Sequence, residues 1–180
     1  MQNEDLLVRA QRLDAEALGE IHDRHYPEVY RYICFRLADK HACEDITAEV
    51  FLRLLDALHK KRGPTQNLRG WLFGTASNLV NDHLRTRYAR RVDSLDAEGI
   101  EPQDEIHLEH SYEEDWMQQQ VSEALLGLTP EQQHVLTLRF SDERSIDETA
   151  SIMGKSVTAV KALQFRAVAT LRRLLEERTC

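Results

Sequence analysis

Apolar residues recur at helical rather than alternating intervals along nearly the whole chain, and this periodicity predicts an all-α protein. A first helix is expected from about Glu4 through DLLVRAQRL. Asp14 is placed to cap a second, AEALGEIHDRHYPEVYRYICFRLA, in which Leu18, Ile21, Val29, Ile33 and Leu37 share a face. Pro27 falls inside that run and predicts a kink or a restart. Beyond the polar DKHAC break, EDITAEVFLRLLDALHKK carries an apolar stripe of Ile46, Val50, Phe51, Leu54 and Leu58. Asp45, Glu49, Arg53 and Asp56 line another side. The loop KRGPTQN contains the breakers Gly63 and Pro64 and leads into NLRGWLFGTASNLVNDHLRTRYARR.

The last third is equally well punctuated. A helix is expected over Trp116 to Leu126, after which Thr129-Pro130-Glu131-Gln132 supplies an N-cap, a first-turn proline and a capping-box glutamine. Val135, Leu136 and Leu138 form the buried face that follows. Ser145-Ile146-Asp147-Glu148 is a second capping box opening IDETASIM, which Gly154 ends. Ser156 then caps VTAVKALQFRAVATLRRLLEE, whose inward stripe is Val157, Val160, Ala167, Leu171, Leu174 and Leu175. A short helix, a glycine-bearing turn and a capped second helix outline a helix-turn-helix, whose second helix enters the major groove.

Composition adds boundaries. No apolar run approaches the ~20 residues that cross a bilayer, and the N-terminus lacks the basic-then-apolar pattern of a signal peptide, so a cytoplasmic protein without membrane insertion is expected. Cys34, Cys43 and Cys180 form no disulfide spacing and are expected to be reduced thiols. His22, His25, Cys34, His41 and Cys43 are the residue types zinc prefers but lack CxxC spacing, so no metal and no cofactor is expected.

Charge divides the chain more sharply than the periodicity does. The overall net charge is −8, yet residues 1–91 carry +2, residues 92–118 carry −10 and residues 119–180 carry zero. The middle stretch holds no Lys or Arg; its like charges repel and extend a chain, which predicts a flexible acidic linker between two small helical domains, 1–91 and 119–180.

The candidate chemistry lies at the basic ends of both domains. From Lys60 to Arg91 there are eight Lys/Arg and one carboxylate, Asp82, so a polyanion is the natural partner. Trp71, Phe73 and Tyr88 add aromatic faces able to stack on unpaired bases, worth ~1–3 kcal/mol per base. Asn67, at the end of the loop, is a candidate hydrogen-bonding group for the edge of an extruded base. Tyr26, Tyr30, Tyr32 and Phe35, among acidic neighbours, are expected to pack rather than bind nucleic acid. From Lys155 to Arg173 five basic residues occur without an acid, with Thr158, Ala162, Phe165, Arg166 and Arg173 facing outward and Lys161 at the flank.

Three segments together, CEDITAEVFLRLLDAL, NLRGWLFGTASNLVNDHLRTRYARR and LTPEQQHVLTLRFSDERSIDETASIMGKSVTAVKALQFRAVATLRRLL, resemble the extracytoplasmic-function (group IV) RNA polymerase sigma factors, the minimal form that keeps only regions 2 and 4. The resemblance implies a non-enzymatic alternative sigma factor that binds core RNA polymerase and directs promoter-specific transcription initiation. Residues 1–91 would then be a region 2 helical bundle and 119–180 a region 4 helix-turn-helix. It implies core-polymerase docking by Asp45, Glu49, Phe51 and Arg53. Recognition and melting of the minus-ten element, duplex and non-template strand, would fall to Arg62, Asn67, Arg69, Trp71, Asn78, Asp82, Arg85, Arg87, Arg90 and Arg91. The minus-thirty-five element would be read by Lys155, Ser156, Thr158, Lys161, Phe165, Arg166 and Arg173. An anti-sigma factor is the further partner it implies. Ala162, Leu163 and Val168 stand where family members often carry donors, which leaves more of the readout to DNA shape. Two other readings remain for the residues alone: a stand-alone helix-turn-helix regulator, which predicts a dimer on a palindrome, and a zinc-dependent helical protein built on the His/Cys set.

Overall fold

The computed structural model describes residues 2–96, 121 and 123–179, and among them every regular element is an α-helix. The helices are α1 (Gln2–Gln11), α2 (Ala15–Cys34), α3 (Lys40–His59), α4 (Leu68–Asp96), α5 (Pro130–Phe140), α6 (Ile146–Met153) and α7 (Val157–Thr179). Residues 123–126 are also helical. The linker predicted over 92–118 lies largely outside the described residues, as do most of the helix predicted from Trp116, Cys180 and the side chain of Arg91; α4 itself continues to Asp96.

Local chemistry sets the helix ends as the sequence requires. Asp14 accepts from the amide of Ala17, and both capping boxes form, Thr129 with Gln132 and Ser145 with Glu148. Gly154 closes α6 in the left-handed region at φ 62°, where a side chain would be strained. The restart predicted at Pro27 does not occur: α2 is a single helix from Ala15 to Cys34 with Pro27 inside it. Pro27 and Asp23, whose carbonyl loses its amide partner, are both exposed, so water can satisfy the orphaned group.

Packing begins with α1 to α4. Ile21, Val29, Tyr32, Ile33, Val50, Leu54, Leu72, Phe73 and Val80 form their shared core, and Tyr32 meets Phe73 edge to face at 5.2 Å. A second cluster joins Leu125, Leu128, Val135, Leu136, Ala150, Val160, Leu163 and Ala167 under α5 to α7. Leu163 thus belongs to the core rather than to a reading face, and Gln164 accepts from Arg139 Nε at 3.2 Å, tying α7 to α5. Cys43 is buried and donates to the carbonyl of Leu37, while Cys34 is half-buried. Among the described residues no group of three or more His, Cys, Asp or Glu is gathered to hold a metal ion. No helix among them is long and apolar enough to cross a membrane.

The two clusters do not stand apart. Leu138 of α5 and Ile152 of α6 are buried in the core of α1 to α4. Polar contacts accompany them: the hydroxyl of Tyr32 pairs with His134 Nδ1 at 2.8 Å, and Arg36 donates to Gln133 Oε1 at 3.3 Å.

His134 at this seam is pushed down to about 4, first by burial and then by the neighbouring Arg36, with Glu131 opposing weakly. A histidine whose folded pKa lies below its unfolded value of ~6.5 takes its proton first in the unfolded chain. Stability is therefore complete above pH 6.5 and falls as the pH drops towards 4. Chemical-denaturation midpoints across that range should decline, and His134→Gln should flatten the decline; an unchanged slope in the variant would show that the acid sensitivity comes from other groups.

Candidate nucleic-acid and polymerase interface

Asn67 occupies the hinge between the breaker-rich loop and α4, with a positive φ of 42° that asparagine tolerates better than most residues. Its carbonyl accepts from the amide of Trp71, and its side-chain Oδ1 accepts from the amide of Gly70 at 3.0 Å, so the residue is the N-cap of α4. The other half of the amide reaches across the seam. Nδ2 donates to the carbonyls of Ser151 and Ile152, each at 3.1 Å, at the end of α6. The cleft beside it is lined by Leu6, His25, Leu68, Arg69, Ser151 and Ile152.

Glu28 lies behind this cleft and organises its charges. One carboxylate oxygen bonds His25 Nδ1; the other meets Arg69 at 2.7 Å and Arg144 at 3.3 Å. Burial by itself would raise the Glu28 pKa, but hydrogen bonds from His25 and Arg69, with their charges, outweigh it and hold the group at about 2. Arg144, buried in the turn between α5 and α6, also lies 3.3 Å from Asp142 and stacks over Phe73 with its guanidinium carbon 4.6 Å from the ring centroid. Asp142 in turn takes two bonds from Arg31, at 3.0 and 3.1 Å. A continuous ionic chain, Arg31–Asp142–Arg144–Glu28–Arg69, thus crosses between the two helical groups.

The remaining residues predicted for minus-ten recognition divide by exposure. Arg62, Asn78, Asp82, Arg85, Arg87 and Arg90 are exposed along the loop and α4, with Tyr88 beside them, whereas Trp71 is half-buried against the core. Phe73, read as a possible stacking face, is fully buried and is corrected to core. On α3, Asp45 and Arg53 are exposed and Arg53 pairs with the half-buried Glu49 at 2.8 Å, while Phe51 packs between His22 and Tyr26. Leu52 and Leu55 are large exposed apolar side chains on the same helix. On α7, Thr158, Lys161, Phe165, Arg166 and Arg173 are exposed; Ser156 caps the helix through the amide of Ala159, and Lys155 pairs with Glu131 at 2.8 Å. Glu28, Arg31, Asp142 and Arg144 were not singled out from the sequence, since nothing local marks a carboxylate whose partner is 116 residues away.

Comparison with known proteins follows the same division. The family described as Sigma-70 region 2 matches residues 21–90, and that described as Sigma-70, region 4 matches residues 124–173. The chain is 38% identical over 177 residues to the ECF RNA polymerase sigma factor BldN of Streptomyces coelicolor, an alignment covering 96% of this chain and 66%, just under two thirds, of that protein. It is 27% identical over 170 residues to the ECF RNA polymerase sigma factor SigX of Bacillus subtilis, covering 89% of this chain and 84% of the relative. Among solved structures, CnrH in complex with the cytosolic domain of CnrY has a TM-score of 0.60 at 23% identity, covering 97% of each chain, a likeness of fold.

The double use of Asn67 carries a stability consequence. Replacing an N-cap asparagine by alanine costs ~0.5–2 kcal/mol, and alanine is additionally strained at positive φ. Asn67→Ala should lower the unfolding free energy by about 1–2 kcal/mol in urea titrations; a loss under about 0.3 kcal/mol, below the range for a lost cap, would mean that neither the cap nor the bonds to α6 stabilise the fold.

Proposed function

The chain belongs to the extracytoplasmic-function RNA polymerase sigma factors, and from that premise we propose that it is a dissociable initiation subunit of the group IV type that binds core RNA polymerase and gives it promoter specificity. The observation that carries the reading is the presence, in order and in one chain, of both family regions, at 21–90 and 124–173. Such a subunit makes and breaks no covalent bond itself. It works in the cytoplasm, where polymerase and promoter are.

The division of roles follows the surfaces. The exposed Asp45 and Arg53, with Glu49 and Phe51, dock α3 on polymerase. The basic face of α4, with Arg62, Asn67, Arg69, Trp71, Asn78, Asp82, Arg85, Arg87, Arg90 and Arg91, recognises and melts the minus-ten element. The outward face of α7, from Lys155 and Ser156 through Thr158, Lys161, Phe165 and Arg166 to Arg173, reads the minus-thirty-five element in the major groove. Residues 1–91 and 119–180 are the two recognition domains and 92–118 the tether. Two modest DNA-binding modules gain from effective concentration once a larger enzyme holds both. An anti-sigma protein is the second partner; solved structures of CnrH with CnrY and of RpoE with the anti-sigma factor NepR from Bartonella quintana support that partner class.

Run-off transcription with core polymerase on a genomic promoter library tests the whole reading. At residue level, Asp45→Arg replaces an exposed carboxylate, so the fold should be untouched. Disrupting a charge pair inside an interface costs ~2–5 kcal/mol. Affinity for core polymerase should therefore fall at least about tenfold, measured by fluorescence anisotropy, and normal affinity would refute docking through this face of α3.

A further inference from the structure

The loop that leads into α4 is fixed at both ends by the helices it joins. At its start the amide of Arg62 donates to the carbonyl of Ala57 and that of Lys61 to the carbonyl of Leu58, with Lys61 in the left-handed region at φ 55°, which closes α3 in a Schellman turn. At its end Asn67 caps α4. Between these points Gly63 lies so close to α3 that a Cβ there would stand 2.6 Å from Cδ2 of Leu58, and Pro64 is buried. Among the described residues one hydrogen bond reaches residues 63–66 from elsewhere in the chain. Gln11 Nε2, at the end of α1, donates to the carbonyl of Pro64 at 3.0 Å across a sequence separation of 53.

The helix that carries Gln11 is a rigid support. It buries Leu6, Leu7 and Ala10, and its last turn closes in the same Schellman form, with the amide of Asp14 on the carbonyl of Arg9 at 3.3 Å and Leu13 at φ 62°. The guanidinium of Arg9 fastens that turn further by bonding Asp14 at 3.0 Å. Gln11 itself is exposed, so its bond adds little to the core. What it adjoins is more telling. Thr65 and Gln66, directly after Pro64, are exposed, and among the described residues their side chains have no hydrogen-bond partner. A hydroxyl and a carboxamide supply the donors and acceptors that bond the edge of an unpaired base.

We propose that Gln11 is a positioning residue for minus-ten recognition: by fixing the Pro64 carbonyl it presents Thr65 and Gln66 beside Asn67 in one conformation, and base preference at that element depends on it. The inference deepens the promoter-recognition reading and rests on it. Its physical basis is preorganisation, since a loop already held in its binding geometry loses less conformational freedom when a base arrives. The effect falls on discrimination rather than on general attraction to DNA. Arg85, Arg87 and Arg90 lie well along α4 from the loop, and phosphate contacts of their kind carry no sequence information.

The test takes a promoter recovered by run-off transcription with core polymerase and rebuilds it as templates with single base-pair changes across both elements. Gln11→Met keeps the length and helix propensity of the side chain and removes its donor. At the minus-ten position read by the loop, the ratio of transcript from the preferred template to that from altered ones should fall about two- to tenfold, the equivalent of one net hydrogen bond. Ratios at the minus-thirty-five element should stay as in wild type. In a Thr65→Ala/Gln66→Ala background the same substitution should change no ratio further, because residues that act through one another are not additive. Wild-type ratios at every minus-ten position in Gln11→Met would overturn the proposal. So would an equal loss on all templates, or full additivity with the loop substitutions, either of which would make Gln11 a support of the fold alone. Absence of transcript from the wild-type protein on every template would sink the promoter-recognition reading and this inference with it, an outcome distinct from the other three.

Discussion

A single carboxylate, that of Glu28, is the point on which the arrangement of the two helical groups turns. It is largely removed from water, which by itself penalises its charge, and it keeps that charge because His25, Arg69 and Arg144 converge on it from α2, α4 and the turn before α6. Removing one partner would leave the others aimed at an under-compensated group, and that makes the node all-or-none rather than graded. The apolar contacts of Leu138 and Ile152 supply attraction across the seam, but they are not directional. Direction comes from the ionic chain and from the bonds Asn67 makes to the end of α6.

Much of this was legible from residues that act locally. The capping boxes at Thr129 and Ser145, the glycine stop at 154 and the stripes of Val50, Leu54 and Leu58 on α3 and of Val160 and Ala167 on α7 are all decided by neighbours within a turn or two. Pro27 is the instructive exception, because the sequence shows the missing amide but not that Asp23 and Pro27, the residues on either side of the lost bond, are both exposed on α2. The candidate site was legible as a composition, an excess of positive charge on one segment. Its arrangement was not, since Arg144 differs in no local respect from any other arginine in a polar turn, and only the tertiary fold brings it over Phe73 and onto Glu28.

Asn67 illustrates how one residue type can serve two ends. Its short amide tolerates the positive φ that turns the loop into α4, its oxygen caps the helix, and its nitrogen remains for something else. That something is the α6 backbone. The cap fixes the side chain, so the N–H groups that cross the seam are oriented by α4 itself.

The contact between the two helical groups is also unequal in what it engages. The seam is made by α5, α6 and the turn between them, whereas α7 packs within its own cluster and keeps Thr158, Lys161, Phe165 and Arg166 in solvent, Phe165 at 77% exposure. The exposed polar side chains of α7 are therefore left to solvent, while Asn67 and Arg69 are engaged at the seam. The asymmetry follows from where each helix places its groups: Leu138 of α5 and Ile152 of α6 are buried in the core of α1 to α4, whereas the buried residues of α7, Val160, Leu163 and Ala167, are used within its own cluster.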